Sequence, residues 1–142
     1  MSEGRKKRIG AALAAGPSVL LVEADPDLQW RLARMLTLRG HRVVGTVSGD
    51  GASALMREWP VDVVLIADQL RDASGLEVAR MLGQAYPDVP IVIMISQESP
   101  QLQLAAKLAG AVAVLIKPFR MEAFSQLLAG FSIAGKVPVP LR

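Results

Sequence analysis

The chain has 142 residues, 51% hydrophobic but only 4% aromatic, which fits one domain with an aliphatic core. It has no cysteine and one histidine, His41, which excludes disulfides, thiolate metal sites, cysteine nucleophiles and multi-histidine metal sites. The net charge of +3 arises in residues 1–17, where Arg5, Lys6, Lys7 and Arg8 stand against Glu3; the remainder is neutral.

That segment reads as a flexible, solvated basic tail, followed by a domain over 18–131 and a loose C-terminal tail over 132–142. A nucleic-acid arm is the weaker reading, because the domain behind the tail is neutral and carries no recognition motif. A signal peptide is weaker still. Ile9–Ala15 is Ala- and Gly-rich, only weakly apolar, and strand-like sequence follows directly. No apolar run reaches the roughly 18–20 residues of a membrane span.

Ser18–Val22 is a short apolar run that breaks at Glu23-Ala24-Asp25-Pro26. Asp25 is placed to cap a helix whose first position is Pro26. Leu28, Leu32, Met35 and Leu36 then recur at helical spacing, and Gly40 is a natural stop. Trp30, Arg34 and Leu38 fall off that stripe, so Trp30 is expected as a half-buried flank of the core. A second strand lies in His41–Val47. Gly49-Asp50-Gly51 punctuates the chain before a short helix through Ala54, Leu55 and Trp59, stopped by Pro60.

Asp62–Ala67 is the third strand, and it gives way abruptly to a polar loop ending at Gly75. Leu76–Tyr86 is a helix ended by Pro87. Pro90–Ile95 is apolar throughout, so both of its faces should be covered. Pro100 opens a fourth helix with Leu102, Leu104, Ala105, Ala106, Leu108 and Ala109, mostly core, ended by Gly110. Ala111–Ile116 is a fifth strand, followed by Lys117-Pro118-Phe119 and a last helix over Met121–Leu128. Five strands alternating with five helices predict a doubly wound parallel α/β sheet.

The sequence lacks a GxGxxG turn, a Walker-type glycine loop, a GxSxG elbow and a Ser/Thr-rich flavin phosphate loop. Dinucleotide, NTPase, hydrolase and flavin readings therefore fail.

Four blocks together resemble the receiver domains of two-component response regulators, the chemotaxis-regulator type. They are VLLVEADPDL, DVVLIADQLRDASGLEV, PIVIMIS and AGAVAVLIKPF, and the resemblance covers 18–131. It implies a flavodoxin-like (βα)5 three-layer sandwich with strand order 2-1-3-4-5. In the family a carboxylate accepts a phosphoryl group beside Mg²⁺ and a lysine, a hydroxyl bonds the new phosphate, and an aromatic turns inward.

Carried over by spacing, that site is degenerate. The acid pair falls on Glu23 and Ala24, with Asp25 after it as a cap rather than a metal ligand. The acceptor position, eight before Gly75, is Ala67. The residue offering its carbonyl to the metal is Gln69, and the usual loop proline is Arg71. The hydroxyl position is Ile95 and the switch aromatic is Val114. Lys117 remains, with Pro118 behind it, where the family has a cis bond. Without a metal or phosphate, Lys117 is expected to pair with Glu23.

Asp68 and Ser96 each stand one residue past the acceptor and hydroxyl positions. A one-residue slip would turn their side chains to the other face and would not restore the acid at Ala24. The resemblance therefore implies a signalling module that is not phosphorylated, is not an enzyme, needs no cofactor and acts in the bacterial cytoplasm by binding protein. A histidine kinase, an output domain or another signalling protein would be the partner. Self-association would use the fourth helix, fifth strand and fifth helix. The rival is a receiver with a rearranged site, using Asp68, Glu23, Ser96 and Mg²⁺.

Overall fold

The computed structural model describes residues 16–132. The strands are β1 (Val19–Val22), β2 (Val43–Thr46), β3 (Val63–Ala67), β4 (Ile91–Ile95) and β5 (Ala113–Ile116). The helices are α1 (Pro26–Leu38), α2 (Gly49–Glu58), α3 (Gly75–Ala85), α4 (Pro100–Leu108) and α5 (Met121–Ser132). All strand pairs are parallel, in the order β2-β1-β3-β4-β5. This is the predicted topology.

Alternation along each strand builds two cores. Val19, Leu21, Val63, Leu65, Ala67, Val92 and Met94 face one side, where Leu32 and Leu36 of α1 and Phe124 and Leu128 of α5 cover them. Leu20, Val22, Val64, Ile66, Ile91, Ile93 and Ile95 face the other, under Ala52 and Met56 of α2, Val78 and Leu82 of α3 and Ala106 of α4. Every residue of β1, β3 and β4 is buried, which is why these strands read as continuous apolar runs instead of alternating ones. Each such side chain contributes on the order of 1.5–3 kcal/mol by leaving water.

Several local expectations change. Helix α2 starts at Gly49, so Gly49-Asp50-Gly51 is its first turn and not a break. Ser48 Oγ accepts from the Gly51 N–H at 3.0 Å, and Asp72 caps the same turn from across the sheet edge. Helix α5 runs past Leu128 to Ser132, because Phe131 adds one more buried turn. Trp30 is 64% exposed and not half-buried: one α-helix has one core stripe, and Leu32 and Leu36 occupy it. For the same reason Leu104 and Leu108 lie outside the core, which α4 meets through Ala106. The expected tails over 1–17 and 132–142 lie outside the described residues, apart from Gly16, Pro17 and Ser132. Among the described residues no helix is long and apolar enough to cross a membrane.

Candidate functional site

In an open parallel sheet the crevice for ligands lies at the carboxyl ends of the strands. Here β1 delivers Glu23, β3 delivers Ala67 and Asp68, β4 ends on Ile95, and β5 delivers Lys117. The parallel register sets Ala67 beside Met94 and Ile95 beside Ile116.

Lys117 Nζ lies 2.6 Å from Glu23 Oε1. Glu23 is only 3% exposed, and its Oε2 accepts from the Asp25 N–H at 3.0 Å. Both carboxylate oxygens are thus engaged. A buried carboxylate needs a cation or hydrogen-bond donors, and this one has the Lys117 cation and one backbone donor. The pairing expected from sequence is present. The Lys117–Pro118 peptide bond is cis, as the resemblance implied.

Asp25 acts as the cap the sequence suggests: its Oδ1 accepts from the N–H groups of Asp27 at 3.0 Å and Leu28 at 3.4 Å. Pro26 supplies the first helical position. Asp25 stands exposed at the end of α1, turned to its own helix.

Ala67 is 1% exposed and packs with the core on the α1/α5 side. Asp68 follows as the chain leaves the strand. It is half-buried, and its backbone N–H donates to the Met94 carbonyl at 2.9 Å. Among the described residues its carboxylate enters no hydrogen bond or ion pair. Ile95 is fully buried and joins the core on the α2/α3/α4 side, against which Val114 also packs. Ser96, one residue on, is exposed. At the two switch positions an apolar contact therefore stands where a hydroxyl and an aromatic would be.

The loop from Asp68 to Gly75 is tightly built. The Gly75 N–H donates to the Asp68 carbonyl at 2.8 Å, and a Cβ on Gly75 would sit inside the Ala67 carbonyl group. Glycine is required there by close backbone approach. Two residues to which the sequence reading gave no role tie the loop to its neighbours. Arg71 Nη2 donates to the Ala24 carbonyl at 3.5 Å. Asp72 accepts from the N–H groups of Gly49 at 2.8 Å and Asp50 at 3.2 Å. Those two bonds, the Gly49 one foremost, hold the Asp72 carboxyl below its ordinary range. Arg71 carried a signal, as a departure from the expected proline. Asp72 carried none, because its partners are remote in sequence.

A divalent cation fits this donor set poorly. Ala24 and Ala67 offer no side-chain oxygen, Glu23 is spent on Lys117 and the Asp25 N–H, and Asp25 caps its helix. Among the described residues no three acidic or imidazole side chains gather closely enough to hold a metal ion.

Residues 19–129 match the family described as the response regulator receiver domain. Transcriptional regulatory protein KdpE of Mycobacterium tuberculosis is 31% identical over 106 residues, covering 75% of this chain and 46% of that protein. The chain spans about half the length of the curated relatives it matches. Among solved structures, the non-phosphorylated HemR receiver domain from Leptospira biflexa aligns with a TM-score of 0.74 at 27% identity, over 87% of this chain and 98% of that one. Vibrio cholerae chemotaxis protein CheY4 aligns with a TM-score of 0.76 over 81% and 98%, at 24% identity, a likeness of fold. The chain belongs to the response regulator receiver domain family, the receiver module of two-component signalling.

Proposed function

We propose that this chain is a receiver without phosphotransfer, which signals by binding a protein partner. The observation that carries the reading is the Glu23–Lys117 pair, closed at 2.6 Å beside two alanines, Ala24 and Ala67, at the metal-ligand and acceptor positions. The lysine that would meet a phosphoryl group is already neutralised, and the two positions that would hold the cation and accept the phosphoryl group have no oxygen. On this reading the chain catalyses nothing, needs no Mg²⁺ and works in the cytoplasm.

Its partner is a histidine kinase, an output domain or another signalling protein. A second copy would dock on α4, β5 and α5. That face is supported by Leu104 at 59% exposure and Leu108 at 78%, one turn apart on α4, and by β5 at the sheet edge. Nucleic acid is not part of the reading, because the domain is neutral.

The test is incubation with Mg²⁺ and acetyl phosphate, followed by intact mass. No adduct is expected. The rival reading, with Asp68 as acceptor, draws on its half-exposed carboxylate standing next to Ala67. A stoichiometric adduct that disappears on Asp68→Ala would establish the rival and remove the proposal.

A further inference from the structure

The outer face of α1 carries a groove of about 280 Å³ lined by Trp30, Ala33, Arg34, Thr37 and Leu38. Trp30 is 64% and Leu38 73% exposed, although both are large and apolar. They stand about 12 Å apart along the helix at its usual rise. Arg34 lies midway between them in sequence, with its guanidinium 5.7 Å from the Trp30 ring centroid. Arg31 is exposed one turn before it. The only carboxylate of α1 is Asp27, in its first turn, so the rest of the helix pairs its apolar surface with cations alone. An apolar hollow edged by positive charge suits a partner of the opposite sign.

Backbone chemistry narrows the occupant. A helix keeps its N–H groups and carbonyls in its own ladder, so α1 offers an extended segment no backbone hydrogen bonds. A segment that satisfies its own backbone is another helix, and residues at i and i+7 on it match the spacing of Trp30 and Leu38. We propose that the α1 groove receives an acidic amphipathic helix of a partner protein. Apolar residues two turns apart on that helix meet Trp30 and Leu38, and a carboxylate between them meets Arg34.

A second copy of this chain does not supply such a helix. Two α1 helices set antiparallel, Trp30 against Leu38, bring Arg34 against its own counterpart. Set parallel about a two-fold axis, they oppose Arg31 to Arg31 and Arg34 to Arg34. Among the described residues the other helix with two large exposed apolar side chains is α4, and it carries Leu104 and Leu108 but no carboxylate. The inference rests on the reading that the chain works by binding protein, and it names that partner's chemistry. It does not rest on the loss of phosphotransfer. A phospho-adduct with acetyl phosphate would leave peptide binding at α1 unaffected.

The test offers the full chain a phage-displayed library of helical peptides randomised on one face. Enriched peptides should carry apolar residues at i and i+7 with Asp or Glu between them. Their synthetic forms should bind Trp30→Ala and Leu38→Ala about tenfold more weakly than the parent, as expected where an exposed aromatic anchors an interface. Arg34→Glu should lose the acidic peptides too, and should regain binding when the peptide carboxylate is replaced by lysine. Both alanine variants should melt with the parent, since the side chains they truncate are exposed. The proposal is overturned if no peptide is enriched, if the enriched peptides are neutral or basic, or if they bind Trp30→Ala as well as the parent. It is also overturned if a proline at the centre of the peptide leaves binding intact, which would mark an extended occupant. Self-association of the parent that Trp30→Ala abolishes would overturn it in favour of a second copy.

Discussion

Lys117 and Glu23 close an ion pair at 2.6 Å across the sheet, with Glu23 almost wholly buried. Removing one partner leaves the other without compensation. We expect Lys117→Met to cost about 3 kcal/mol in urea denaturation, the scale of a broken buried pair. Replacing both, Glu23→Leu with Lys117→Met, should recover most of that loss. A double variant as unstable as the sum of the singles would show that the pair is not a unit.

Ala67 and Ala24 supply the second prediction. Ala67→Asp alone buries a carboxylate and should lower the melting temperature. Ala24→Asp with Ala67→Asp should make that temperature rise with millimolar Mg²⁺, because a cation now has ligands. The parent chain should show no such response. A parent chain stabilised by Mg²⁺ would contradict the assignment of both alanines.

Ile95 is fully buried and shares a core with Val114. Ile95→Thr restores a hydroxyl where the family has one, but here it loses apolar atoms and buries an oxygen. We expect a loss of about 2 kcal/mol by chemical denaturation. A neutral result would mean that the position already accommodates a polar group.

Asp72 caps α2, and its carboxyl lies below the ordinary value of 3.8 through its bonds to the Gly49 and Asp50 N–H groups. A depressed folded value contributes stability that is present above 3.8 and disappears as the pH falls through the lower, folded value. The melting temperature of Asp72→Asn should therefore lie below that of the parent at neutral pH. The two should converge in acid. Parallel pH curves would show that Asp72 is not linked to folding.

Leu108 is 78% exposed on α4, one turn from Leu104. If that face pairs two copies, Leu108→Glu should shift sedimentation toward the monomer and leave the melting temperature of the monomer unchanged. A parent chain that is monomeric at high concentration would remove this face as a self-association site.

The architecture was legible because β1, β3 and β4 are buried on both faces, so hydrophobicity alone marks them, while Pro26, Pro60, Pro87 and Pro100 mark helix boundaries. The Asp25 cap and the Glu23–Lys117 pair were legible too. The first is local, and the second follows from what a buried charge requires. What escaped depends on distance or on helix rotation. Asp72 meets Gly49 from another loop, Arg71 reaches Ala24 from the far side of the crevice, and Trp30, Leu104 and Leu108 sit on faces that an apolar count cannot orient.

Gly75 gives the chain one further property. Its hydrogen belongs where the Ala67 backbone passes, so any side chain there would push the β3 loop apart, whether or not phosphate is ever handled. The tip of β3 has no such demand, since alanine fits it within the core. The two ends of the same loop therefore answer to different pressures. Alanine at position 67 is enclosed in the core, while the glycine eight positions on is held to its hydrogen by the backbone it meets. Gly75 thus fixes the shape of the loop, and the residue at position 67 fixes which groups its tip presents.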